Sequence, residues 1–251
     1  MSWWLVGFER RAAARYISHL DTARVVQRTF ARAGIELALS QGMRPKPRLS
    51  LPLPLPTGAE GRRELAVVGV AAEAAPEELG ACLRSLQAAC PEGVVVRGIV
   101  QTEARPRPHA VAARYECRLD ARCGEVGEAL RWFAAAPRVT VQRDAPKGHR
   151  AVEVKEYVRD LSASPAGDAT RLAFTLRYRA DGSARVDEVV GALAGRLGIE
   201  PVVLDLVRTS VEWEGLPPGP SPWTATGLPD RELTGPEQGS PDSLRAGPGQ
   251  G

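Results

Sequence analysis

The sequence predicts an α+β chain built from two halves of similar element order, followed by an unstructured tail, and three observations carry that prediction. Apolar residues switch repeatedly between a period of two and a period near 3.6, so strands and helices alternate along the chain. The order strand, helix, strand, strand, helix, strand can be traced once before residue 103 and again after residue 111. From Gly215 onward proline, glycine, serine and acidic residues take over and the periodicity stops.

Trp4, Val6 and Phe8 alternate and mark the first strand. Ser18 followed three residues later by Asp21 is a helix-start pair, whose side chains can serve backbone donors that the first turn leaves free. The helix therefore starts near His19. Leu20, Ala23, Val26, Phe30 and Ala33 recur at helical spacing and are expected to face a core, while Arg24, Arg28 and Arg32 recur every four residues on another face. Gly34 ends the helix, since glycine accepts the left-handed conformation after a last turn. A short strand is expected over Glu36 to Leu39. Arg48 to Leu55 alternates leucine with proline and suits an edge or a loop. Glu64 to Ala71 is a valine-rich strand. Pro76 opens a helix over Glu77 to Ala89, with acids in the first turn opposing the dipole, and Gly93 to Gln101 is the last strand of the half. This is the element order of a ferredoxin-like βαββαβ unit.

Residues 104–110 form a linker with two prolines. Beyond it, Ala112 to Leu119 reads as a strand, Gly124 to Ala135 as a helix carrying Trp132 and Phe133 inward, and Val139 to Arg143 as a short strand. Either Val152 to Tyr157 or Arg171 to Arg179 supplies the next strand. Asp187 to Leu197 is a helix ending at Gly198, and Val202 to Trp213 closes the unit. The domains expected are thus two ferredoxin-like units, 1–103 and 111–214, repeated in element order without visible identity, and a disordered tail over 215–251. Trp223 is the one large apolar residue of that tail, with a docking anchor and a chance residue both open.

With 43% hydrophobic residues in 251, the chain can bury one large core or two ordinary ones. No apolar run approaches the roughly 18 residues of a membrane helix, and Trp3 to Phe8 is short and lacks a basic leader, so a cytoplasmic protein with no membrane partner is expected. Cys82, Cys90, Cys117 and Cys123 contain no Cys-x-x-Cys pair, which speaks against a zinc knuckle or an iron–sulfur run. His19, His109 and His149 are far apart and have no neighbouring metal motif.

Charge is distributed unevenly. Residues 1–50 hold nine Lys and Arg against three acids, a net of +6, while the whole chain is only +3. After Gly42, Arg44, Lys46 and Arg48 alternate with Pro45 and Pro47, whose fixed dihedrals keep the chain extended. Tyr16, Ser18, His19, Arg24, Arg28, Arg32, Gln41, Arg44, Lys46 and Arg48 are accordingly the candidate anion or nucleic-acid contacts. The plainer alternative is an arginine-rich solvated helix.

Tyr16-Ile17-Ser18-His19-Leu20-Asp21, Arg32-Ala33-Gly34, Ser40-Gln41-Gly42 with Pro45, Pro47 and Leu49-Ser50, and Leu53-Pro54-Leu55-Pro56-Thr57-Gly58 together resemble the radical-SAM-linked family, a domain of unknown function. The resemblance is strong over residues 3–70 and looser to 214. It implies an accessory role beside a cobalamin-binding radical SAM protein encoded nearby or fused to it. S-adenosylmethionine, the iron–sulfur cluster and cobalamin would then belong to the partner, and this chain would bind no cofactor. Family members often carry an aromatic, an asparagine and a histidine where this chain has Met43, Arg44 and Lys46. That departure puts a metal site shared with His19 in doubt and raises the charge of the loop. Four readings follow: an RNA-binding accessory protein, a metal-independent endoribonuclease with His19 as base, a protein-binding adaptor, and an independent metalloenzyme. The last has the least in the sequence to support it.

Overall fold

The computed structural model describes residues 1–145 and 148–223. β1 (Ser2–Arg10) is buried along its whole length, because Trp3-Trp4-Leu5-Val6 offers apolar side chains to both faces at once. Trp4, Val6 and Phe8 pack beneath α1 (His19–Arg32) and α2 (Leu79–Ala89), meeting Val26, Phe30, Leu83 and Leu86. Trp3 and Leu5 point the other way, toward Leu65, Val67, Trp213 and Trp223.

α1 starts where Ser18 caps it. The Ser18 hydroxyl accepts from the Asp21 N–H at 3.1 Å and donates to the Asp21 carboxylate at 2.7 Å. That donation and the hydrogen bond from Arg24 hold the exposed Asp21 carboxyl below its ordinary range. The buried face of the helix is rotated from the one expected: Thr22, Val26, Thr29 and Phe30 lie inward and Leu20 is 68% exposed. Threonine goes inside because its hydroxyl is satisfied locally, Thr22 and Thr29 donating to the carbonyls of Ser18 and Val25. Gly34 ends the helix at φ +74°.

The strand expected over Glu36 to Leu39 is reduced to two single bridges, Leu37 with Val70 and Leu39 with Pro47. β2 (Leu49–Ser50) is equally short, and β3 (Glu60–Val70) follows the Leu53–Gly58 loop. A 3-10 turn at Pro76–Glu78 leads into α2, and β4 (Val94–Thr102) completes the first half. The second half comprises β5 (His109–Leu119), α3 (Cys123–Ala135), a hairpin of β6 (Thr140–Ala145) and β7 (Gly148–Glu153), β8 (Val158–Ala166), β9 (Ala169–Arg177), α4 (Val186–Leu197) and β10 (Val203–Glu214). Of the two strand candidates of the second half, Arg171 to Arg179 falls on β9, whereas Val152 to Tyr157 holds only the end of β7 before a 3-10 turn at Val154–Glu156, and β8 lies between them.

One mixed sheet runs through both halves in the order β4-β1-β3-β10-β5-β9-β8, with β2 beside β3. Neighbours are antiparallel except β3 and β10, which pair in parallel at Glu60–Val207 and Gly61–Arg208. β3 thus gives its outer edge to β2 at Val67 and Val68 and to β10 at its start. Glu64, Ala66 and Val68 alternate toward α1 and α2, Tyr115 and Cys117 face α3 and α4, and Arg208 joins Glu64 to Tyr115, so the helices line one face. On the opposite face of the second half, Arg114–Glu116, Arg118–Asp205 and Arg159–Glu212 form exposed ion pairs.

The expected disorder from Gly215 does not hold for residues 215–223. Leu216 and Trp223 cover Trp3 and Leu5, and the Trp223 indole donates to the Glu64 carbonyl at 2.9 Å. A Cβ built on Gly7 would sit 2.0 Å from the Pro222 carbonyl oxygen, so the bare glycine is what lets this strap close. The expectation for 224–251 lies outside the described residues.

Candidate nucleic-acid interface

The N-terminal cations divide into three groups by what they touch. Arg10 is 1% exposed and belongs to the core. Its guanidinium donates to Thr22 Oγ1 and to the carbonyls of Ile17, Pro56 and Ala59, which staples the start of α1 to the proline loop. Arg11 pairs with Glu9, Arg24 with Asp21 at 2.7 Å, and Arg48 donates to the Leu39 carbonyl at 3.1 Å. Arg28, Arg32, Arg44 and Lys46 are exposed and have no ion-pair partner among the described residues. Arg15 is half-buried and donates to Tyr16 Oη at 2.7 Å, so the free positive surface near the loop is these four residues and not the whole set of nine.

The loop that carries two of them is built, since Ser40 N–H donates to the Lys46 carbonyl and Lys46 N–H donates back to Ser40 Oγ. Gln41, Met43 and Arg44 stand exposed at its tip, where Gly42 adopts φ +130°. Loop and helix meet at a groove lined by Gln27, Arg28, Leu37, Leu39 and Pro47. Arg28 is thus brought to the base of the loop, where Leu39 and Pro47 flank it and Glu36 lines the same groove.

His19 is not part of that cluster. It lies at the opposite end of the helix, about 14 Å away at 1.5 Å rise per residue, beside Arg10, Thr22 and Glu64. The cavity there is about 10 Å³, room for one water. His19, grouped with the cations in the sequence, therefore does not share their surface. Ser18 is committed to capping. Tyr16 lies on the helix approach, 61% exposed, with the Arg15 guanidinium 4.8 Å from its ring centre and 2.7 Å from its hydroxyl.

Sequence reasoning missed the junction between the halves. Arg208 is 1% exposed and donates to the Glu64 carboxylate at 3.0 and 2.5 Å, to the Leu53 and Pro54 carbonyls, and to Tyr115 Oη, which lies 3.0 Å from Tyr178 Oη. Burial and the neighbouring Tyr115 push the Tyr178 phenol up. Beside this network opens a cleft of about 1090 Å³, with Arg15 and Tyr16 on one wall, Leu53–Gly58 beneath, and the start of α4 with Arg185 and Asp187 on the other. The proline run and the apolar residues that open β10 were its only signals in sequence.

Four further polar or titratable side chains have structural roles. Lys155 closes the C-terminus of α3 through the Ala134 and Ala136 carbonyls. Cys117 is buried, and burial together with nearby Asp205 pushes its thiol up to about 12. His109 and His149 make surface contacts with Glu214 and Asp144.

A family sequence profile described as "Uncharacterized protein conserved in bacteria (DUF2344)" matches residues 4–186. The chain belongs to that family. No curated protein sequence matches it. Among solved structures, a Cbf5-Nop10-Gar1 complex is similar at 12% identity and a TM-score of 0.45, over 83% of this chain and 48% of that one. The chain spans about half the length of that structure. A chain described as a glycine cleavage system transcriptional repressor is similar at 10% identity and a TM-score of 0.22, over 82% of this chain and 98% of that one. Likenesses this distant carry no functional information. No helix among the described residues is long and apolar enough to cross a membrane.

Proposed function

We propose that this protein is a non-catalytic accessory protein that binds RNA through the C-terminal end of α1 and the Ser40–Lys46 loop, and presents it to a radical SAM enzyme. One observation carries the reading: Arg28 in the groove, Arg32 at the end of the helix, and Arg44 and Lys46 on the loop are exposed and have no ion-pair partner among the described residues, while the other N-terminal cations are buried or engaged locally. Glu36 also lines the groove, without an ion pair to Arg28, and cations not engaged by a carboxylate are available to phosphates. Tyr16 adds an exposed ring at the other end of the helix for stacking on a base. S-adenosylmethionine, an iron–sulfur cluster and cobalamin would be held by the partner. We read each half as a ferredoxin-like unit, a reading supported by the strand orders β4-β1-β3-β2 and β10-β5-β9-β8.

A second reading, docking of the radical SAM partner itself on this surface, is favoured by Leu39 and Met43, which are 54% and 103% exposed among the cations. For a nuclease, the one-water cavity beside His19 leaves no room for a phosphate on its inner side, and Glu64 is committed to Arg208. The test is retardation of structured RNA by the full chain at low salt. Binding that is lost in an Arg28→Glu, Arg32→Glu variant supports the RNA reading. No retention at low salt, alongside co-purification with the radical SAM protein, leaves the docking reading. RNA left uncut by wild type and His19→Ala alike in chelator excludes the nuclease.

A further inference from the structure

The cleft between the halves joins Tyr16, the exposed ring of the RNA surface, to side chains which that surface does not use. Its volume, about 1090 Å³, is that of a small-molecule site. Tyr16 stands at one wall with the Arg15 guanidinium over its ring and bonded to its hydroxyl, so the ring is fixed in place while most of it remains open to solvent. On the facing wall the first turn of α4 is held by the Arg185 N–H donating to Glu188 at 2.8 Å. The Arg185 guanidinium itself has no ion-pair partner among the described residues, and neither has the Asp187 carboxylate that lines the cleft with it. The other acid of the cleft, Asp205, is engaged by Arg118 at 3.3 Å. Between these walls the surface is apolar, formed by Leu53, Leu55, Val203 and Leu204, the last two 41% and 42% exposed.

An open aromatic ring, a cation on each wall, a carboxylate and an apolar bed match the parts of one nucleotide. A base can stack on the ring, its phosphate can meet Arg15 or Arg185, and its amino or imino N–H can donate to Asp187. A lipid tail would leave the carboxylate and the ring unused. We propose that the cleft takes a single unstacked nucleotide of the RNA whose flanking strand lies along α1 and the loop. This rests on the RNA reading above. The two surfaces are joined by α1, whose 14 residues span about 21 Å. The cleft would thereby select single-stranded or bulged sites over continuous duplex, in which the bases are stacked away.

The test uses the full chain and 5′-GMP as probe, followed by ligand-detected NMR, with anisotropy of a single-stranded oligoribonucleotide measured in parallel. Saturable binding of GMP is expected, weakened about tenfold by Tyr16→Leu and by Arg185→Ala and unchanged by Arg28→Glu, Arg32→Glu. The helix variant should weaken the oligonucleotide instead. All four substitutions are at exposed positions, and circular dichroism verifies the fold. Absence of saturable GMP binding, or binding that ignores both cleft variants, overturns the proposal even if the oligonucleotide still binds. If the oligonucleotide fails to bind wild type while GMP binds and responds to Tyr16 and Arg185, the RNA reading falls, and with it the claim that the nucleotide belongs to RNA.

Discussion

At the scale of single residues, the account turns on which arginines are surface and which are structure. Arg10, Arg48 and Arg208 look like Arg28 and Arg32 in sequence, yet carbonyls and a buried carboxylate hold the first three. Nothing in a one-dimensional reading separates them, because their partners lie as far as 155 residues away. The buried Arg208–Glu64 pair leads to a definite expectation. Removing one charge strands the other in a dry site at a cost of roughly 3–5 kcal/mol, whereas replacing both with apolar residues of similar volume costs much less. Glu64→Gln should therefore lower stability in urea by about that amount, and Glu64→Leu with Arg208→Met should recover most of it. A double variant as unstable as the single one would show that the loss came from packing at the junction and not from the stranded charge.

At the scale of elements, strong periodicity made α1, α2, α3, α4 and most long strands legible. The buried face of α1 was misread because two threonines satisfy their own hydroxyls there while Leu20 points out. β8 was invisible for a different reason. It is an edge strand of serine, alanine and Pro165 with Asp160 at φ +53°, so neither β propensity nor alternation marks it. The β6–β7 hairpin was legible only in part, and what ties it down is Arg143, which grips Glu188 on α4 at 2.5 and 2.7 Å. Burial pushes the Glu188 carboxyl up, but the hydrogen bonds from Arg143 and the Arg185 N–H outweigh it and hold the group below its ordinary range. A depressed carboxyl stabilises the fold above its unfolded pKa, about 4.3, and that contribution is lost as pH falls through the lower folded value. The melting-temperature gap between wild type and Glu188→Gln should be widest near pH 7 and should close toward pH 3. A gap independent of pH would mean that shape and not charge holds the hairpin.

At the scale of the whole molecule, two halves that read as separate units share one sheet, and the strap 215–223 returns from the end of β10 to seal the first half. The sequence reading missed this because a proline- and glycine-rich segment can be ordered by what it covers, here Trp3, Leu5, Leu65 and Val67. Trp223→Ala should cost about 2 kcal/mol of apolar burial, seen as a lower urea midpoint, and Gly7→Ala should do comparable damage by displacing Pro222. If neither variant moves the midpoint, the strap is ornamental. Of the candidate site, the α1 and loop cations were legible, but their separation from His19 and the cleft beside Arg208 were not, since both depend on how the two halves meet.

The most direct test of the central claim is the slope of log affinity against log salt for a single-stranded RNA, compared between wild type and the Arg28→Glu, Arg32→Glu variant. Each phosphate contact contributes about 0.7 to that slope. The account predicts a steep salt dependence for wild type and a slope shallower by about 1.4 in the variant. Equal slopes, or affinity indifferent to salt, would contradict it.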